Sequence, residues 1–326
     1  MNLLDKFAAV EIKADNRISE ADRLYCTQNQ TAYEKAGEFL RKLASELSEA
    51  LEEQRQILCK KESEFYESYM DHDHLTVRHV TEALVERHKT LIHNIVSYFS
   101  RTYSVELDTG IIRDHLIPKA PESNPPYSRW GWGSLTEEQM EANRAYHEAY
   151  EEELKEYQKN IHNMVIRYED IVDEIFTQLG GFSFTEQALN ELREKCYNAA
   201  HHREWRSESD TEDFVVKKDV LQLTRYSCHY DAGWSTPRWS IPDSTKHILD
   251  GIAHFDRGEF NHGHKLFPAL FAWDMQCNIF EFPWAEKVRS VKLFKNGRVD
   301  IKFADAAAVN EFVDNYLRIK IGGDAA

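Results

Sequence analysis

The chain has 326 residues, 42% of them hydrophobic, and a formal charge of −16. That length is enough for two domains with a substantial core. The acidic balance argues against the basic footprint of a bare nucleic-acid-binding protein and favours solubility or a basic protein partner. The five cysteines, at 26, 59, 196, 228 and 277, are widely spaced and include no Cys-x-x-Cys, which predicts reduced thiols and a cytoplasmic setting. The opening Met-Asn-Leu-Leu-Asp-Lys-Phe lacks a signal-peptide pattern, and no apolar run approaches ~20 residues, so no membrane association is expected.

Residues 1–30 give no regular pattern. Over residues 32–70, Leu40, Ala44, Leu47, Leu51, Leu58 and Phe65 recur at helical spacing and predict a bundle or coiled-coil helix. Asp71-His72-Asp73-His74 reads as a turn. Thr76 then opens a second helix with Val77, Val80, Leu84, Leu91, Ile95 and Phe99 on one side, and the short connection predicts an antiparallel pair. Residues 103–107 suggest a short strand, and 111–117 fit either strand or helix. Residues 119–133 form a proline-bearing loop ending Arg129-Trp130-Gly131-Trp132-Gly133. Ser134 with Glu137 predicts a capping box that opens a helical region to Leu179, broken near Asn160 and stopped by Gly180-Gly181. Ser183 with Glu186 predicts a second box and a helix to Ala200.

Composition changes near Arg203, which divides the chain into a helical domain, 1–206, and a second domain, 207–326. The predicted class is α+β: a long-helix N-terminal bundle, then a small antiparallel β-sheet domain with packed helices. Strands are expected at 214–216 and 220–230, a loop at 231–239, a helix capped by Asp243, and a short helix at 266–273. The clearest signal is the hairpin at 288–303. A two-residue Asn296-Gly297 loop would put lysine on the apolar face. A three-residue Lys295-Asn296-Gly297 loop instead pairs Leu293 with Val299 and Val291 with Ile301, so the apolar face selects it. That register also sets Lys292 opposite Asp300 as an expected ion pair. Asp305 then caps a helix whose Val309, Phe312, Val313, Tyr316 and Leu317 cover the sheet.

Phe294-Lys295-Asn296-Gly297, with Ile248-Leu249-Asp250-Gly251 before it, resembles an uncharacterised family of phage- and plasmid-borne proteins, a domain of unknown function. The resemblance is confined to the C-terminal part. It implies a mobile-element origin, where interference with host defences is a common role, and it carries over no site residues.

Four groups of residues are candidates for chemistry. Asp71-His72-Asp73-His74 with His79 has the ligand types of zinc or manganese sites, although a polar interhelix turn also explains it. His247, Asp250 and His254 share one helix face and form a candidate catalytic group; His254, His262 and His264 form a candidate metal set. A polar helix face accounts for the same residues. Arg129, Trp130 and Trp132, and Trp234, Arg238 and Trp239, have the residue types of binding hot spots, unless the indoles fold inward as loop anchors. Glu148, Glu151, Glu152, Glu153 and Glu156 are the densest acidic run; such a rod can occupy a basic groove or simply be a solvated face.

No nucleotide-binding or hydrolase motif is present. The expected function is therefore an acidic, non-enzymatic binding protein without a cofactor. Its partner is a protein with a basic surface, and in the sharpest version it inhibits a nucleic-acid-handling host enzyme. Direct nucleic-acid binding is disfavoured. Two alternatives stay open: a metal-dependent hydrolase or nuclease, and an assembly protein that homo-oligomerises through its long helices.

Overall fold

A computed structural model describes residues 17–58, 77–122, 124–127, 136–203, 210–233, 237–272 and 275–321. It divides into two compact units, residues 1–100 with 107–181, and residues 101–106 with 182–326. The α+β class is observed, with long helices first and the sheet later.

The first unit is built on α1 (Glu20–Leu58) and α2 (Val77–Tyr103). α1 begins at Glu20 rather than at residue 32. Its start is a local cap: the Ser19 hydroxyl accepts from the Asp22 amide at 3.2 Å, and the Asp22 carboxylate accepts from the Ser19 amide at 2.9 Å. The first turns escaped the apolar periodicity because their packing is partly polar. The Tyr98 hydroxyl donates to Asp22, the Tyr25 and Tyr98 rings stack at 4.0 Å, Asn94 reaches Asn29, and Tyr33 meets His88. Partner numbers fall on α2 as they rise on α1, so the two helices are antiparallel, as expected. Val80, Leu84, Leu91, Ile95 and Phe99 are buried, as their spacing predicts. The Asp71–His74 turn lies outside the described residues.

Residues 103–107 do not form a strand; α2 runs to Tyr103, and α3 (Thr109–Leu116) resolves the ambiguous segment as helix. The Asp108 side chain caps α3 by accepting from Gly110 and Ile111. Alternation at 103–107 reflects the one-sided burial of Val105, not pairing with another strand. α4 (Glu137–Asn163) is capped by Thr136 with Gln139, not by Ser134 with Glu137. Both pairs fit the same signature two residues apart, and sequence does not choose between them. The helix breaks at 164–167 and resumes as α5 (Tyr168–Gln178), after which Gly180 and Gly181 take φ of 60° and 91°.

The larger segment of the second unit, residues 182–326, opens with α6 (Phe184–Ala200), capped by Ser183 and Glu186 as predicted. The units therefore divide at Gly181–Phe182, not at 206–207. Cys196 and Ala200 on α6 are buried in the same core as the sheet, so the helix follows its packing and not the composition change. Short strands β1 (His201–Arg203) and β2 (Asp210–Glu212) pair, as do β5 (His229–Asp231) and β6 (Arg238–Ser240). His201 and His202 thus open a strand, one residue beyond the helix end.

The main sheet is antiparallel, in the order β3 (Phe214–Lys217), β4 (Val220–Leu223), β9 (Val299–Phe303), β8 (Val288–Leu293), β7 (Ile279–Glu281). Val291 opposes Ile301 and Leu293 opposes Val299, with Gly297 at φ 86°, so the three-residue hairpin loop is the observed one. One apolar row runs Leu221, Ile301, Val291, Phe280 across four strands, the first three buried and Phe280 half-buried at the edge. Strand β7 had no sequence expectation. The expected Lys292–Asp300 ion pair does not form: Asp300 takes Arg298 at 3.0 Å and Gln222 at 3.1 Å, and Lys292 lies over the Phe294 ring. The two are aligned in register, but Arg298 brings a planar cation to the same carboxylate from two residues away.

The sheet is covered by α7 (Asp243–Arg257), by α9 (Ala306–Phe312) with its single π turn, Val313–Leu317, and by α6. Asp305 caps α9 through the Ala308 amide at 2.8 Å. Asp243 is the first residue of α7, not its cap, which is Pro242. The expected helix at 266–273 is reduced to α8 (Gly263–Leu266) and one 3₁₀ turn, Pro268–Leu270, because Pro268 has no amide hydrogen to continue α8. Among the described residues no helix is long and apolar enough to cross a membrane.

Candidate functional site

Helix α4 holds the acidic run. Only Ile161 of its residues is fully buried; Tyr146, Tyr150, Leu154 and Tyr157 form a half-buried stripe at helical spacing. Glu148, Glu151, Glu152, Glu153 and Glu156 are all exposed and have no hydrogen bond or ion pair among the described residues. Lys155 and Lys159 stand within a turn of them and are likewise unpaired. By contrast, carboxylates elsewhere on the first unit take partners, including Glu86 with Lys89, Asp114 with Arg113 and Asp173 with Arg17.

Beneath the half-buried stripe is a cavity of about 590 Å³. Thr81, Val85 and Lys89 of α2 form one wall, Tyr150, Leu154 and Tyr157 of α4 the other, and Ala120 and Pro121 close one side. Nothing in the sequence pattern announces this cavity. The tyrosines fall at spacings that equally fit a packed core stripe.

In the second unit, α7 turns His247 and Asp250 into a cleft of about 180 Å³ that they share with Lys195, Glu191 and Asn261. Asp250 accepts from the Gly263 amide at 3.0 Å. A Cβ on Gly263 would come 2.3 Å from the same carboxylate oxygen, so only glycine permits this approach. Burial raises the Asp250 carboxyl pKa, and the Gly263 amide, His247, His264 and Lys195 pull it back down. Two of the three predicted catalytic residues therefore meet. His254 does not join them. Its Nδ1 is 2.7 Å from the Tyr316 hydroxyl, and its ring packs on Phe260. Burial lowers the His254 pKa and pushes that of Tyr316 up to about 12, so a neutral phenol donates to a neutral imidazole.

The predicted metal set is not assembled. His254 is held by Tyr316, His262 pairs with Glu259 at 2.8 Å, and His264 lies near Asp250. Among the described residues no group of three or more His, Cys, Asp or Glu is placed to hold a metal ion. His262 precedes and His264 lies within α8, which follows α7 after a turn whose direction the helix spacing does not predict. His79 is exposed on α2.

Trp239 is not an exposed binding residue. It is buried, packs on Tyr230 at 4.8 Å, and its amide donates to the Met275 carbonyl at 2.7 Å, so it anchors its loop. Arg238 is half-buried beside it. Arg129, Trp130, Trp132 and Trp234 lie outside the described residues. Trp284, which the sequence did not single out, is half-exposed, with its indole donating to the Leu266 carbonyl at 3.1 Å. Searches against protein-family models, curated proteins and solved structures find no match to this chain.

Proposed function

We propose that the chain is a non-enzymatic binding protein that engages a basic protein partner through the outward face of α4. One observation carries the reading: five exposed glutamates on a single helix are left without partners although two lysines stand within reach. Glu148, Glu152 and Glu156 recur every fourth residue, so their carboxylates form a row with a rise of ~6 Å per step. Like charges at that spacing destabilise a helix by ~0.2–0.5 kcal/mol per pair, and a cationic surface would turn that repulsion into attraction. Together with the mobile-element origin implied by the hairpin resemblance, the row fits the lysine- and arginine-lined groove of a nucleic-acid-handling host enzyme, where it would stand in for phosphates.

The test is capture of the partner from the native host, followed by binding kinetics with Glu151, Glu152, Glu153 and Glu156 all changed to Gln. Helicity should survive, because Glu and Gln have similar propensity. The association rate should fall, and wild-type binding should weaken as salt rises. Unchanged kinetics and salt dependence in the variant would reduce the row to a solvated face.

A second reading rests on the Asp250 cleft, where burial raises the carboxyl pKa and His247 lines the same cleft, so an acid and an imidazole stand together as proton transfer requires. A hydrolase of this kind predicts turnover of chromogenic phosphodiester or ester substrates that Asp250→Asn abolishes. Wild-type protein with no turnover, or turnover unaffected by the substitution, removes it.

A further inference from the structure

The geometry points to an anchoring groove: the cavity between α2 and α4 takes a large apolar side chain from a lysine- or arginine-rich segment of a partner protein. This inference rests on the acidic-face reading and adds what that face lacks, a place where contact area can be buried.

Among the described residues, the hydrogen bonds that tie α4 to neighbouring segments lie toward its two ends. Toward its start, the Tyr146 hydroxyl donates to the Glu122 carbonyl, and Asn143 donates to the Tyr127 carbonyl at 2.9 Å. At its finish, Arg41 donates to the His162 carbonyl at 3.0 Å and Ile161 is buried. Between these fastenings Tyr150, Leu154 and Tyr157 face Val85 across the gap. The half-open groove between them has a volume of about 590 Å³. It falls inside the ~300–1,000 Å³ range of ligand sites.

The chemistry of the groove selects its occupant. The walls are aliphatic and aromatic. Glu82 and Glu86 stand along the α2 side, and Glu151 and Glu153 adjoin Tyr150 and Leu154 on α4. Lys89 is the one cation among the lining residues, and it is tied to Glu86 at 2.7 Å. Tyrosine faces beside carboxylates attract arginine and lysine as well as apolar groups. Burial raises the Tyr157 pKa, so its phenol stays neutral and able to donate. The same carboxylates repel nucleic acid and anionic lipid. A basic segment with an apolar anchor satisfies both wall and rim, as buried anchors within a charged border do at protein interfaces.

The test uses the full chain and three labelled peptides of about 15 residues, a length that spans a groove of this kind. One is an amphipathic peptide of Lys, Arg, Leu and Trp. The second is Lys and Gly of equal charge, and the third has Gln for every Lys and Arg. The amphipathic peptide should bind about tenfold more tightly than the Lys/Gly peptide. Val85→Trp, which fills the groove and leaves the glutamates intact, should remove that gain. The four-Gln variant should weaken both basic peptides. Equal affinity for the two basic peptides, or no effect of Val85→Trp on a cooperatively melting protein, overturns the groove; a weakened four-Gln variant would in that case still uphold the acidic face. Tight binding of the Gln peptide, or no binding of any peptide, also overturns the groove. A photoreactive group in the amphipathic peptide supplies a measurement on wild-type protein. Crosslinks to residues 81–89 and 150–158 support the groove, and crosslinks elsewhere overturn it.

Discussion

Gly251 on α7 faces Cys196 on α6 so closely that a Cβ at position 251 would lie 2.4 Å from the cysteine sulfur. The thiol is buried, donates to the His247 carbonyl at 3.4 Å, and is pushed up in pKa by burial, so it acts as packing and not as a nucleophile. Gly251→Ala should therefore destabilise the protein by about 1–3 kcal/mol through overpacking, although alanine is the better helix former. Adding Cys196→Ala should recover much of the loss. A double-mutant cycle from denaturant melts, with coupling near zero, would show that the two helices do not meet at this point.

The hairpin separates two neighbouring charges. Asp300 holds Arg298 and Gln222, whereas Lys292 only covers the Phe294 ring. Asp300→Ala should cost about 0.5–1.5 kcal/mol, and Lys292→Ala less than ~0.5 kcal/mol. Equal losses would restore the cross-strand pair. Val291→Asp, in the centre of the apolar row, should cost ~3 kcal/mol or more.

Asp250 ties stability to pH. Its folded pKa is raised above the ordinary aspartate value of about 3.9. Below that value the carboxyl is protonated in both states and its contribution is fully present. As pH rises through the folded pKa, the unfolded chain is favoured because it ionises first. Asp250→Asn keeps an acceptor for the Gly263 amide and should flatten this part of the stability profile, with the gain appearing at neutral pH. Thermal melts from pH 4 to 8 that show no difference in slope would contradict the assignment.

Tyr33 and His88 behave in the opposite sense. The Tyr33 hydroxyl lies 2.9 Å from His88 Nδ1 and accepts from the Ile166 amide at 3.0 Å. Burial lowers the His88 pKa, so the ring is neutral and Nδ1 accepts from the phenol. The stability this provides is present above the ordinary histidine value of about 6.5 and is lost as pH falls through the folded pKa. Tyr33→Phe should cost about 1–3 kcal/mol by stranding a buried amide and a ring nitrogen. A loss below half that, with Ile166 amide exchange unchanged, would mean that water replaces the hydroxyl.

The hairpin register, the Ser183 and Asp305 caps, the glycine stop after α5 and the apolar face of α2 were all legible in the chain. Each depends on residues a few positions apart, where turn geometry, hydrogen-bonding reach and helical or strand period leave one arrangement that keeps apolar groups together. The start of α1 was missed: Ser19 and Asp22 cap it locally, but its polar packing against α2 carries no apolar period. What the sequence left open required knowing which surfaces meet. Asp300 chose Arg298 over Lys292 through side-chain reach, Trp239 was claimed by the core because Tyr230 and Met275 pack around it, and α6 joined the sheet because Gly251 lets Cys196 approach. The histidines separated because the chain turns after α7 and carries His262 and His264 to different neighbours. The cavity beside α4 lies between two helices distant in sequence, α2 and α4, a long-range juxtaposition that no local pattern encodes.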